Sequence, residues 1–212
     1  MTNDPFLERH MQNKARLLKE VPLLQRVRDD LVADIRRAFL GVWRENGVSL
    51  REAYEIDNYG TEKDRLAARA KETDTAWDQV DVVAIDPGGA CLTYVDQPSF
   101  RYYLPAYMVQ ALLTGYGPLG NAPDEGENAL AFLPYKLSTQ FSSNPDQCKQ
   151  RWSDFDSDQL SCTARYLAFD VMFEYDDIND RESIDALREG WIEHLPDADR
   201  KRVESFWPGV FD

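Results

Sequence analysis

Histidine and cysteine are scarce in this chain of 212 residues, two and three respectively, and their placement excludes more than their number does. His10 and His194 stand near opposite ends, in segments that read as helices, with no second histidine or cysteine three or four residues away. A zinc site or a His-dependent triad therefore has little material, and both read as ordinary surface or helix-end histidines. Cys91, Cys148 and Cys162 lack CxxC spacing and are too few for a disulfide framework. Cys162 and Cys91 read as inert core thiols. Cys148 lies next to Lys149 and close to Arg151, which would lower its pKa, but no base partner is evident. No apolar run approaches the ~18 residues of a membrane span. The opening MTNDPFLERHMQNK carries an acid and a proline where a signal peptide needs a basic and then an apolar stretch, so a soluble, cytoplasmic protein is expected. There is no internal repeat and no Gly/Ser linker, which leaves no convincing domain boundary.

Basic charge is also in short supply. Lys and Arg number 24 against 38 Asp and Glu, a formal net charge of −14. This argues against gripping nucleic-acid phosphates through a general basic surface. The deficit is uneven: residues 1–71 carry +2, residues 72–212 carry −16, and between Asp154 and Asp199 there are 14 acids against 3 basic residues. Such asymmetry suits a partner with a basic surface; the plainer account is a solvated acidic surface that aids solubility.

What the chain does have is helical periodicity. Asp4-Pro5 is a helix start, an acid before a proline, opening a helix to about Lys19 that ends near Pro22. Leu24, Val27, Leu31, Ile35, Ala38 and Val42 then form an amphipathic stripe, widened by Phe39 and Trp43 and closed by Gly47. Ser49-Leu50-Arg51-Glu52 matches a capping box, predicting a short helix to about Asp57. Glu62–Lys71 is charged, helix-prone and exposed. From Trp77 to Val95, short β-branched runs surround the turn Asp86-Pro87-Gly88-Gly89; a small hairpin and a short helix with a loop fit this pattern equally. Pro98–Leu113 is apolar and aromatic, with Pro105 either kinking a helix or starting one. Residues 115–127 are a Gly/Pro-dense loop and Asn128–Arg151 is largely irregular. Asp158–Tyr175 has apolar residues on both sides: Leu160, Ala164, Leu167 and Val171 on one, Cys162, Tyr166, Phe169 and Phe173 on the other. That predicts a helix sandwiched between layers at the centre of the fold. Helices over Glu182–Leu195 and Asp199–Trp207 follow.

Three apparent motifs fail on their chemistry. Gly115-Tyr116-Gly117-Pro118-Leu119-Gly120 has the letters of a dinucleotide fingerprint, but a helix precedes it and a proline removes one amide, so it reads as loop. Asp154, Asp156 and Asp158 occupy the first, third and fifth positions of a calcium loop, whose sixth and twelfth positions are Gln159 and Arg165 instead of glycine and glutamate. One of Asp156 and Asp158 reads better as the cap of the central helix. The carboxylates are too numerous for a catalytic pair to be picked out.

The segment Phe100-Arg101-Tyr102-Tyr103-Leu104-Pro105-Ala106-Tyr107-Met108 resembles the signature of an uncharacterised bacterial family, a domain of unknown function with an aromatic-Arg-aromatic-Tyr-Leu-Pro-Ala-aromatic core. The resemblance extends to a preceding Trp77, the apolar stretch Ala90–Val95 and an acid-capped helix start at Phe155–Leu160. It covers about Leu31 to Tyr175, so the helix within 1–21 and the helices within 180–212 read as additions to the family core. The signature carries no activity with it. Physically it reads as structural, burying large aromatic area, with Arg101 paired to Asp170 or Glu174. The alternative makes Arg101, Tyr102 and Tyr103 a recognition cluster. Bacterial proteins of this size and charge are often toxin-neutralising immunity proteins.

The expectation is a mainly α, single-domain helical bundle over 1–212 with at most a small β-hairpin. It is expected to be non-catalytic, to hold no cofactor or metal, and to bind neither nucleic acid nor membrane. Its partner would be a cognate toxin or another basic protein domain, met by Asp154, Asp156, Asp176 and Asp177 around the central helix, with Trp152 as the nearest aromatic anchor. The alternatives are an enzyme using a carboxylate pair and a regulatory interaction module.

Overall fold

Leu24, Leu31 and Ile35 line the buried side of the longest helix in the computed structural model, which describes residues 5–86, 89–114, 133–138, 149–173 and 182–211. This helix, α1, spans Pro5–Ala38. It corrects the expected break at Pro22, because one helix runs straight through that position. Proline deprives the Leu18 carbonyl of its N–H partner, but Pro22 is exposed, so water can replace the donor. The far end is corrected as well. The helix stops at Ala38, short of Val42, and the chain turns through Gly41 and Glu45, both at positive φ (74° and 58°). Phe39 stays in the core, whereas Trp43 leaves the stripe and is 67% exposed.

Helix α2 spans Leu50–Asp57 as its capping residues predict, with the Ser49 hydroxyl accepting the Glu52 N–H at 3.1 Å. The reciprocal half of the box is missing. Glu52 turns its carboxylate to Arg65 and Arg69 of α3 (Glu62–Arg69), joining the two helices. Thr61 and Asp64 supply α3 with a complete capping box.

Between Trp77 and Val95 the choice left open by the sequence falls to helical turns: single turns at Trp77–Gln79 and Cys91–Thr93 flank the short α4, Val82–Ile85. Side-chain carboxylates supply the local partners. Asp81 accepts the Ala84 N–H, and buried Asp86 accepts the N–H groups of Ala90 and Cys91 and the Tyr107 hydroxyl. Satisfying backbone donors in this way removes the need for a strand partner.

Helix α5, Gln97–Thr114, contains Pro105 without ending there. Tyr102 to Val109 are all buried, so α5 shares the central position expected of the later helix alone. After the short α6 (Leu133–Leu137) comes α7 (Ser157–Phe173), packed against α1, α8 (Glu182–Ala186) and α9 (Asp197–Phe206). Its two apolar faces are both buried: Ala164, Leu167 and Val171 on one, Cys162, Tyr166 and Phe169 on the other. The chain from α8 continues through a wider π-type turn at Leu187–Trp191. Three indoles tie helices to carbonyls elsewhere: Trp77 to Phe39, Trp191 to Leu137 and Trp207 to Val171, at 2.8–2.9 Å. Each thereby satisfies its one polar atom. The protein is mainly α, and no strand occurs among the described residues.

Candidate functional site

The signature residues on α5 point into the protein. Phe100 stacks on Phe155 at 6.5 Å and carries the Arg151 guanidinium over its face at 5.5 Å. Leu104 and Pro105 are buried beside it. Arg101 donates to Gln159 Oε1 at 2.9 Å, which corrects the expected pairing with Asp170; that carboxylate accepts the Ser183 hydroxyl. Glu174, the other expected partner, lies outside the described residues. Gln159 reaches on to the Ala38 carbonyl, so one amide bridges the ends of α1, α5 and α7.

The three signature tyrosines each use their hydroxyl. Tyr107 donates to Asp86, and Tyr102 to Asp74 at 2.8 Å. The Tyr103 hydroxyl accepts from Arg44 at 2.7 Å and from the Leu50 N–H at 3.3 Å. Burial raises all three phenol pKa values, so each remains protonated. Tyr102 and Tyr103 meet edge to face at 4.9 Å.

Their acidic partners form a second layer that the sequence did not single out. Glu72, with 4% of its side chain exposed, accepts the Arg51 N–H at 3.2 Å and lies 3.9 Å from Arg44. Burial, reinforced by a hydrogen bond to Asp74, raises the Glu72 carboxyl pKa. Burial also pushes Asp74 upward, but hydrogen bonds from Glu72 and Tyr102 and the Arg44 charge bring it net below its ordinary value. The two close carboxyls are thus pushed in opposite directions, Glu72 towards binding its proton more tightly and Asp74 towards releasing it. The available signal was weak: two acids in a short polar segment, and buried tyrosine hydroxyls that need partners.

At the start of α7, Asp156 is the cap, its Oδ1 accepting the N–H groups of Asp158 at 3.0 Å and Gln159 at 2.9 Å. Asp154, Asp156 and Asp158 are all exposed, and no described cation pairs with them. Trp152 is the exception to the expected surface role. It is 8% exposed and packs against Trp191 at 4.8 Å, so its ring is a core contact. Asp176, Asp177, Cys148 and the run Gly115–Gly120 lie outside the described residues. Cys91 and Cys162 are buried free thiols, the latter pushed by burial to about 11, which keeps it protonated. His194 packs against the Trp191 ring at 6.3 Å. No group of His, Cys, Asp and Glu suited to a metal ion occurs among the described residues. Likewise, no helix searched there is long and apolar enough to cross a membrane.

These features define a mainly helical domain whose aromatic α5 is bound to its surroundings by buried tyrosine, arginine and carboxyl groups. Residues 27–195 match DUF6714, a family of unknown function, and the chain belongs to that family. The match begins within α1, takes in α2 to α8, and leaves α9 outside. No curated protein and no solved structure matches the chain.

Proposed function

We propose that this protein is a non-catalytic binding module that neutralises a basic partner, of the kind a bacterial immunity protein blocks, through the acidic surface at the N-terminal end of α7. The observation that carries this reading is a division of labour among charges. Asp154, Asp156 and Asp158 face solvent without a described cationic partner, while nearby arginines turn inward. Arg101 serves Gln159, Arg151 serves the Leu92 and Thr93 carbonyls, and Arg165 serves Asp34 and Asp199. The groups this region turns outward without a described cationic partner thus include three carboxylates, and a cationic surface could meet them directly. Because Trp152 is internal, association in this reading is driven by charge more than by an aromatic anchor.

The test is co-expression with any toxin domain that a neighbouring gene proves to encode, followed by association kinetics on the purified pair. Rescue of growth and an association rate that falls with salt are expected. Changing Asp154, Asp156, Asp176 and Asp177 to Asn should slow association several-fold at low salt and leave folding intact, since Asn also caps helices well. An unchanged rate with unchanged salt dependence would sink the reading.

A further inference from the structure

Two hollows adjoin beside α2 and α3, apart from the acidic end of α7. One encloses about 240 Å3 and is lined by Glu72, Asp74 and Asp81. The other encloses about 230 Å3 and is lined by Tyr54, Glu55 and Ala68. Arg51, Lys71 and Ile85 line both. Arg51 and Lys71 are exposed, and neither side chain pairs with a described residue, so two uncommitted cations stand where the hollows meet. On one side of them, Asp74 receives the Tyr102 hydroxyl, and Asp81 uses one oxygen to cap α4. Both carboxylates have acceptor capacity left over. On the other side lie the methyl of Ala68 and the ring of Tyr54, which is 51% exposed, with the half-buried Glu55 beside them.

We propose that this double hollow binds a small zwitterion of the α-amino acid type with an apolar side chain. The ligand carboxylate sits between Arg51 and Lys71, its ammonium faces Asp74 and Asp81, and its side chain passes over Ile85 towards Ala68 and Tyr54. Both charge signs line the two adjoining hollows. A ligand of one sign would meet like charge on one of the two sets, whereas a zwitterion offers each set its opposite. Each hollow is smaller than the ~300–1,000 Å3 common for drug-sized ligands, which favours a metabolite of amino-acid size.

Calorimetry on the full chain with phenylalanine as the probe tests this, beside phenylalaninamide, which lacks the carboxylate, and 3-phenylpropionate, which lacks the ammonium. Saturable millimolar binding of phenylalanine is expected, with each analogue about tenfold weaker because one charge-assisted contact is gone. Arg51→Gln with Lys71→Gln should weaken phenylalanine by a similar factor while leaving the thermal midpoint unchanged, as both side chains are exposed. Amide shift changes on titration should concentrate at Arg51, Tyr54, Lys71, Asp74 and Ile85. No saturable binding overturns the proposal, as does equal affinity for an analogue, unchanged affinity of the folded double variant, or shifts confined to other regions.

Discussion

At Gly47 a single methyl group decides the packing. A Cβ there would stand 2.1 Å from Ser99 Oγ, 2.6 Å from the Asp96 carboxylate and 3.0 Å from the Arg44 carbonyl. The chain needs this closeness to bring the α2 entry against the start of α5, where Asp96 accepts the Val48 N–H. At Gly41, by contrast, nothing lies within 4 Å, and only its φ of 74° penalises a side chain. Gly47→Ala should therefore lower the urea midpoint more than Gly41→Ala, which should cost about 1 kcal/mol. Ser99 gives the opposite expectation. Its hydroxyl is buried with no hydrogen-bond partner, so Ser99→Ala should be neutral or stabilising in the same assay. A midpoint that falls with Ser99→Ala would show that the hydroxyl has a partner in solution.

Among elements, α7 depends on its first turn and α1 on a residue it contains in spite of its chemistry. Asp156→Ala removes a cap and should cost about 1 kcal/mol by chemical denaturation, while Asp154→Ala, which caps nothing, should change stability little. Leu167 has no exposed surface within α7, and Leu167→Asp should destabilise strongly because it buries a charge without a partner. Pro22 is exposed inside α1, so Pro22→Ala restores one N–H where the chain is already helical. Melting should then rise, within an upper limit of ~3 kcal/mol set by the proline penalty. A fall would mean that Pro22 makes a contact outweighing its missing donor.

For the whole molecule, carboxyl groups that shift in opposite directions shape the pH profile. Burial pushes Asp34 up, but Arg165 and Arg37 bring it net below its ordinary value, and Asp74 is likewise lowered. Their contribution is present above the unfolded pKa of about 3.9 and is lost as pH falls through the folded values. Glu72 is raised, so its contribution is complete below about 4.3 and disappears as pH rises through its folded value. Asp34→Asn should cost roughly 1.5–3 kcal/mol at neutral pH and flatten the acid limb of the urea midpoint against pH. Glu72→Gln, which keeps a neutral side chain in place, should gain on the wild type as pH rises from the acid range to neutrality. A constant difference between the two would show that the fold does not raise the Glu72 pKa.

The sequence by itself determined the helical class, the burial of both faces of α7, the Ser49 cap and the turn from basic to acidic along the chain. Each follows from local rules: periodicity, capping preference and a count of charges. Where α1 ends, whether Pro22 breaks it, and where Trp43 and Trp152 face were decided by tertiary structure. Local patterns specify which residues suit a core, and the geometry of neighbouring elements selects which of them enter it. The same holds for Arg101, which met Gln159 in place of an acid, and for the Glu72–Asp74 pair, whose opposite shifts come from burial and from Arg44 and Tyr102, partners 28 residues away in sequence at the nearest. A carboxyl acquires such a state only from what surrounds it in space, and that surrounding is fixed when α2, the segment after α3, and α5 pack together.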